Sequence, residues 1–190
     1  MGIYLNPGNN VFQRAVNSKI YVDKTEMLAY MNSILNTEQQ FICISRPRRF
    51  GKSMAANMLA AYYSRGCNSK ELFSPFQIAK ADSFEKHLNQ YNVIQINMAD
   101  FAKKSDSLQE VLKSLQDSIV EDIKKEYPDF RMPRYPSLLS VLEWHYLQYK
   151  QPFVIIIDDW DCMIRMKQFT AEDQMDYPLA NNSPNRFPSP

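Results

Sequence analysis

Three short apolar runs, separated by helical patterns, limit the folds that are open to this chain. The runs are Phe41–Ser45, Val93–Met98 and Phe153–Ile157, and the first and last of them lack the strict apolar–polar alternation of a half-exposed strand. Such runs are typical of a parallel sheet that is covered on both faces. Strands that alternate with long helices predict an α/β fold, with helices flanking the sheet.

Helical spacing of apolar residues predicts the elements between these runs. We expect helices over about 26–35, 52–63 and 137–149. The clearest helix opens at Ser105, and its apolar positions recur at helical spacing as far as Ile123. The composition suits one domain with a real core, since 45% of the 190 residues are apolar and 13% are aromatic.

The last part of the chain differs in character from the rest. Residues after about 170 are polar and rich in proline, asparagine and serine. We therefore predict an α/β domain over 1–168 and a disordered tail over 169–190.

Charge and hydropathy narrow the range of functions. The net charge is +1, so no overall field draws the protein to nucleic acid or to a membrane. No apolar run approaches the ~20 residues of a membrane span, and the first residues lack the pattern of a signal peptide. Three cysteines, Cys43, Cys67 and Cys162, match no zinc or disulfide framework. Cys43 and Cys162 lie in apolar surroundings, and we expect the cysteines to be either plain packing residues or reduced surface thiols, in a protein of the cytoplasm with no membrane partner.

The segment RPRRFGKS, residues 46–53, has the pattern of a phosphate-binding loop. Gly51, Lys52 and Ser53 match the end of GxxxxGK[ST], whereas Arg46 takes the place of the first glycine. The segment lies between an apolar run and a predicted helix, the order that points backbone N–H groups at phosphate oxygens. In such a loop, Lys52 would bind the β- and γ-phosphates and Ser53 would coordinate Mg²⁺. The predicted nucleotide-binding residues are Arg46, Pro47, Arg48, Arg49, Phe50, Gly51, Lys52, Ser53 and Met54.

The same loop has other interpretations. Arg46, Arg48 and Arg49 form a basic cluster with Lys52, and a cluster of this kind also occurs in nucleic-acid-binding modules. It is equally compatible with an ordinary solvated loop.

Two carboxylates follow the last apolar run. Asp158 stands at the tip of the predicted strand, where a Walker B carboxylate holds Mg²⁺ at the carboxyl edge of a sheet. Asp159 follows it, one methylene shorter than the glutamate that often positions the attacking water. Drawing a carboxylate back by about 1 Å costs on the order of a hundredfold in rate, so the sequence favours ATP binding over ATP hydrolysis. The two aspartates could also simply end the strand and begin a turn.

Taken together, YVDKT (residues 21–25), RPRRFGKS and IDDWD (residues 157–161) resemble the predicted AAA-ATPase-like family of bacteria over roughly 4–168. Members of this family look like P-loop NTPases of the ASCE/AAA type, many with a C-terminal nuclease-like domain of the PD-(D/E)XK kind. Arginine normally replaces the first glycine of their loop. The resemblance implies ATP and Mg²⁺ as cofactors, with Lys52 on the phosphates and Ser53 with Asp158 on the metal.

The resemblance also sets expectations for catalysis and partners. Lys52 and Asp159 are the candidate catalytic residues of an ATPase, Asp159 standing where the family has its glutamate. A homo-oligomer, and nucleic acid bound through the family's C-terminal domain, are partners that the family suggests. No strand, sensor or lid is visible after Met166. We therefore expect an N-terminal part of the domain, truncated after the Walker B strand, whose strands lack ladder partners and apolar cover. An inactive truncated product is the alternative.

The YVDKT segment leaves two interpretations open. It precedes the loop, as segments that contact the nucleotide base do in related ATPases. Alternatively, Asp23 or Thr25 caps the following helix and Tyr21 packs into the core.

Overall fold

The computed structural model of the protein describes residues 2–45, 47 and 50–165. These residues form a mixed helix and strand structure with one two-stranded parallel sheet, which is consistent with the predicted α/β class. The described elements, in chain order, are α1 (Asn10–Val16), α2 (Glu26–Ile34), α3 (Lys52–Tyr63), α4 (Lys70–Phe73), a 3-10 helix (Gln77–Lys80), α5 (Phe84–His87), β1 (Asn92–Asn97), α6 (Met98–Ala102), α7 (Leu108–Glu126), α8 (Leu138–Tyr149), β2 (Phe153–Asp158) and α9 (Cys162–Arg165).

The chain divides into two compact units. The first comprises residues up to 96 together with 119–158, and the described part of the second comprises 97–118 and 159–165. In the second unit, α6 packs against α9. The side chain of Asn97 accepts a hydrogen bond from the backbone N–H of Ala99 at 3.0 Å and so caps α6.

The sheet of the first unit is extended by the start of the chain. Leu5 forms an antiparallel bridge with Ile94 of β1. The carboxylate of Asp122, which is almost fully buried, accepts hydrogen bonds from the backbone N–H groups of Tyr4 at 2.7 Å and Leu5 at 3.1 Å. The first residues are thus fixed on the outer edge of β1, because the bridge and a buried carboxylate together satisfy their backbone.

The two strands differ in how well they are covered. Val93 and Ile94 are neighbours in β1, so their side chains point to opposite faces, and both are fully buried. In β2, Ile156 is buried, whereas Ile155 and Ile157 are 52% and 48% exposed. β1 is therefore covered on both faces, and β2 on one.

Helices cover the two faces of the sheet. Val93, Val154 and Ile156 belong to one apolar core with residues of α3, which packs against β2. Phe153 points to the other face, where its ring lies 5.0 Å from that of His145 in α8. The first unit is therefore layered, with α3 on one side of the sheet and α8 on the other.

The predicted strand at Phe41–Ser45 is wrong for the described structure. These residues have no regular secondary structure, and Phe41 is 88% exposed. A strand persists only when its N–H and C=O groups pair with a neighbouring strand, and the described sheet contains only β1 and β2. Cys43 in this segment does not pack into a core; it is a free, exposed cysteine, the second of the two expected forms.

The predicted bounds of α3 and the predicted helix after Ser137 are confirmed. α3 spans the predicted 52–63, and α8 begins at Leu138 after a capping box in which the side chains of Ser137 and Ser140 bond reciprocally to the backbone. Cys162 is buried. Among the described residues, no helix is both long and apolar enough to cross a membrane. The predicted tail, 169–190, lies outside the described residues.

Candidate phosphate-binding site

Gly51 makes the turn that starts α3. Its φ of +80° and ψ of 23° lie in the left-handed region, which glycine adopts without a Cβ penalty. Its carbonyl accepts the first helical hydrogen bond, from the N–H of Ala55 at 2.9 Å. Gly51 has no side chain to cap the helix, and the first turn contains no acidic residue. This helix end therefore suits an anion, because N–H groups and the positive end of the helix dipole meet there.

The predicted loop residues that are described face solvent. Pro47, Phe50, Ser53 and Met54 are exposed, with Phe50 at 63%, and Lys52 is partly exposed as the first residue of α3. Arg46, Arg48 and Arg49 lie outside the described residues. Lys52 and Ser53 occupy the first two positions of α3, directly after the left-handed turn.

Asp158 lies on the same side of the sheet as α3. It is the last residue of β2, and it has the same parity along the strand as Val154 and Ile156, which pack with α3. Its side chain is partly exposed. The fold thus places a carboxylate at the carboxyl end of β2, on the face that also carries the helix beginning at Lys52.

Side-chain hydrogen bonds join α3 to β1 and to α2. Gln95 of β1 donates from Nε2 to Oδ1 of Asn57 at 2.8 Å. Near the other end of α3, Asn32 of α2 donates to the hydroxyl of Tyr62 at 3.0 Å and accepts from the hydroxyl of Tyr63 at 2.8 Å. Burial raises the pKa of Tyr62 to about 12, and the pKa of Tyr63 is also raised by burial, so both hydroxyls stay protonated at neutral pH. These hydrogen bonds hold the middle and the end of α3, the helix that begins at Lys52.

Tyr21 is partly buried and packs against the hydrophobic core. Its ring lies 6.0 Å from that of Phe12, edge to face, and 5.3 Å from that of Phe76. Burial raises the pKa of the Tyr21 phenol to about 12, and the nearby Asp23 charge acts in the same direction. These contacts favour the packed interpretation of Tyr21 over a ring that is free to stack on a base.

Asp23 and Thr25 form hydrogen bonds that connect residues 21–25 to the 3-10 helix. Asp23 accepts hydrogen bonds from the backbone N–H of Thr25 at 2.8 Å and of Gln77 at 3.0 Å. The buried Thr25 accepts one from the N–H of Ile78 at 3.1 Å. Partial burial acts to raise the pKa of Asp23, but these hydrogen bonds outweigh it and lower the pKa. Thr25 occupies the N-cap position of α2, but its side chain makes no capping hydrogen bond there.

Lys24 lies between Asp23 and Thr25, and no sequence motif gives it a role of its own. Its Nζ lies 3.9 Å from the point that a Cβ on Gly51 would occupy. A second ammonium group therefore lies beside the turn that starts α3. The only sequence signal was its place between two residues that can form hydrogen bonds with the backbone.

Asp159 belongs to the second unit and is held by an arginine there. Its φ is +54°, and its carboxylate lies 3.3 Å from Nη2 of Arg165. Arg165 also contacts both carboxylate oxygens of Asp161, at 2.9 and 3.1 Å. The spacing of Asp161 and Arg165, four residues apart, is a helical ion-pair spacing that the sequence could have indicated.

The predicted metal ligands suit Mg²⁺ in their chemistry. Mg²⁺ keeps several waters and takes one or two protein oxygens together with substrate phosphates. Ser53 and Asp158 offer a hydroxyl and a carboxylate, which are hard oxygen ligands. Within the described part of the chain, no group of three or more His, Cys, Asp or Glu side chains could hold a metal ion by itself. A metal at Ser53 and Asp158 would thus depend on the phosphates for the rest of its shell.

The fold and this site define an α/β protein with a glycine turn and a lysine at the start of a helix that packs on the sheet. The family model described as Predicted AAA-ATPase matches residues 9–179, so the chain belongs to the AAA-ATPase-like family. The resemblance found in the sequence is thereby confirmed. No curated protein and no solved structure gives a significant match.

Proposed function

We propose that this protein binds ATP with Mg²⁺ at the N-terminus of α3. The observation that carries the proposal is the left-handed turn at Gly51, which sets Lys52 and Ser53 as the first residues of a helix that packs against β2. Membership of the AAA-ATPase-like family supports a nucleotide as the ligand. A phosphate at this helix end would gain backbone N–H donors, the helix dipole and the Lys52 ammonium.

The proposed magnesium ligands are Ser53 and Asp158. Asp158 extends from the end of β2 on the α3 face, the edge of a parallel sheet at which ligands bind. When bound, Mg²⁺ would neutralise charge on the β- and γ-phosphates. Asp158 and Ser53 would orient that ion and so fix the triphosphate.

For hydrolysis, we infer that Asp159 is the candidate to position water and that the rate is low. Asp159 has the shorter side chain, and its carboxylate is paired with Arg165 at 3.3 Å. A carboxylate that orients water would have to exchange this arginine for the water. ATP binding without rapid turnover is the activity that we expect of this chain.

The test is binding of a fluorescent ATP analogue to the 190-residue protein, with and without Mg²⁺. Lys52→Ala should abolish saturable binding and leave the thermal unfolding temperature unchanged, because Lys52 is partly exposed at the helix start. Lys19→Ala, which removes an exposed lysine from a loop outside the site, is the matched control. Equal affinity in the wild type and Lys52→Ala would refute the proposal.

A further inference from the structure

We propose that Lys24 is a second phosphate-binding cation of this site. The proposal rests on the proposed function and extends it to a residue outside the loop motif. Its basis is the position of the Lys24 ammonium, 3.9 Å from where a Cβ of Gly51 would lie. Gly51 is the turn that opens the N-terminus of α3 to an anion.

The backbone on either side of Lys24 is fixed. Asp23 accepts two backbone hydrogen bonds, one of them from Gln77, and Thr25 accepts one from Ile78. Thr25 is fully buried. The backbone at Lys24 is therefore already ordered by these hydrogen bonds. Binding of an anion would need to order only the side-chain torsions of Lys24.

Buried hydrogen bonds join α2, the helix after Lys24, to α3, the helix after Gly51. Lys24 precedes α2 and lies beside Gly51, which precedes α3. Farther along both helices, Asn32 of α2 bonds to Tyr62 and Tyr63 of α3. The helix that follows Lys24 is thus joined by buried side chains to the helix that follows Gly51.

The side chains of residues 21–25 favour phosphate as the group that Lys24 binds. Tyr21 is packed between Phe12 and Phe76, and the Asp23 carboxylate is taken up by backbone N–H groups. Lys24 is the exposed cation that the segment adds at Gly51. An ammonium group is a compact charge with three donors on a flexible stem, which suits contact with phosphate oxygens.

The experiment compares Lys24→Met with Lys19→Met and Lys52→Ala in the 190-residue protein. Met keeps the length of the side chain and removes its charge, and Lys19 is an exposed lysine elsewhere in the first unit. Two probes compete with a fluorescent ATP analogue, namely inorganic tripolyphosphate and adenosine. Tripolyphosphate carries the charge without the base, and adenosine carries the base without the charge.

We expect Lys24→Met to weaken ATP and tripolyphosphate binding about tenfold or more, the scale of one charge-assisted hydrogen bond. Displacement by adenosine and binding by Lys19→Met should stay at wild-type values, and Lys24→Arg should regain most of the affinity. Thermal unfolding of each variant separates this result from loss of the fold.

The outcomes distinguish the two proposals. If the wild type binds ATP and Lys52→Ala does not, but Lys24→Met binds tripolyphosphate as the wild type does, the role of Lys24 is refuted and the ATP site stands. If the wild type and Lys52→Ala bind equally, the ATP site itself is refuted. An equal loss of adenosine and tripolyphosphate binding in Lys24→Met would indicate a structural role and would also overturn the proposal.

Discussion

The hydroxyl of Tyr63 donates a 2.8 Å hydrogen bond to Oδ1 of Asn32, and both side chains are buried. The bond joins α3, the helix of the candidate phosphate site, to α2. Asn32 also donates to Tyr62, whose own hydroxyl donates to the carbonyl of Phe84 at 2.8 Å. One amide side chain of α2 thus bonds to two tyrosines of α3.

We predict that Asn32→Ala lowers the free energy of unfolding by about 1–3 kcal/mol, because the buried hydroxyl of Tyr63 loses its acceptor. Denaturant unfolding measures the change. Ser33→Ala, at an exposed position next along the same helix, is the control and should stay within about 0.5 kcal/mol. A loss no larger than that of the control would contradict the role given to Asn32.

Acid should destabilise the first unit through His145. Burial lowers the pKa of His145 to about 4, with Arg65 contributing in the same direction, and neither ring nitrogen has a hydrogen-bond partner among the described residues. The unfolded chain then binds a proton below about pH 6.5 that the folded protein does not accept until about pH 4. Stability therefore falls as the pH decreases through this window, by at most about 1.4 kcal/mol per pH unit for this group.

The control for this pH dependence is His145→Phe. Phenylalanine suits the position because the ring of His145 packs among aromatic rings, and its centroid lies 4.4 Å from that of Tyr127. Urea unfolding between pH 7 and pH 4 should show a shallower decline in the variant. The other histidine, His87, is also buried, and burial and then Lys86 lower its pKa, so part of the decline should remain. Identical slopes in the wild type and His145→Phe would show that His145 titrates normally.

The left-handed turn at Gly51 should tolerate asparagine better than alanine. Gly51→Ala should cost about 1–2 kcal/mol of stability and weaken ATP binding, because a Cβ disfavours a φ of +80°. The space itself is not restrictive, since the nearest atoms to such a Cβ lie at 3.9 and 4.0 Å. Gly51→Asn is the comparison, since asparagine enters this region more readily. Thermal unfolding would measure the loss of stability, and binding of the ATP analogue would measure the loss of affinity. Equal losses in Gly51→Ala and Gly51→Asn would argue against a strained backbone at this position.

Asp158 should affect nucleotide binding only when magnesium is present. Asp158→Asn is expected to reduce the affinity for ATP·Mg²⁺ several-fold and to leave binding in EDTA unchanged or slightly tighter, since it removes a negative charge near the phosphates. Asp82→Asn, at an exposed position after the 3-10 helix, should change neither value. Titrations of the analogue over a range of Mg²⁺ concentrations would measure this. A loss of affinity that is the same with and without Mg²⁺ would assign Asp158 a role other than metal binding.

Local pattern was enough to predict much of the first unit. α3 has the bounds that apolar spacing and the motif indicated, and β1 and β2 fall on the apolar runs near 93–98 and 153–157. Helices with regular spacing and buried strands are encoded over a few consecutive residues. The run at Phe41–Ser45 has the same local signal, yet it forms no strand. A strand also needs a partner, and no local pattern specifies whether one is adjacent.

The sequence by itself determined the α/β class, the family, and the glycine and lysine that begin α3, because each is encoded within a short stretch. Tertiary structure decided which charged groups meet. It placed Lys24 beside Gly51, and it paired Asp159 with Arg165. It also left one face of β2 half-exposed. The position of Lys24 and the exposure of β2 depend on packing and hydrogen bonds between segments that are far apart in the sequence, and the spacing of residues along the chain does not record them.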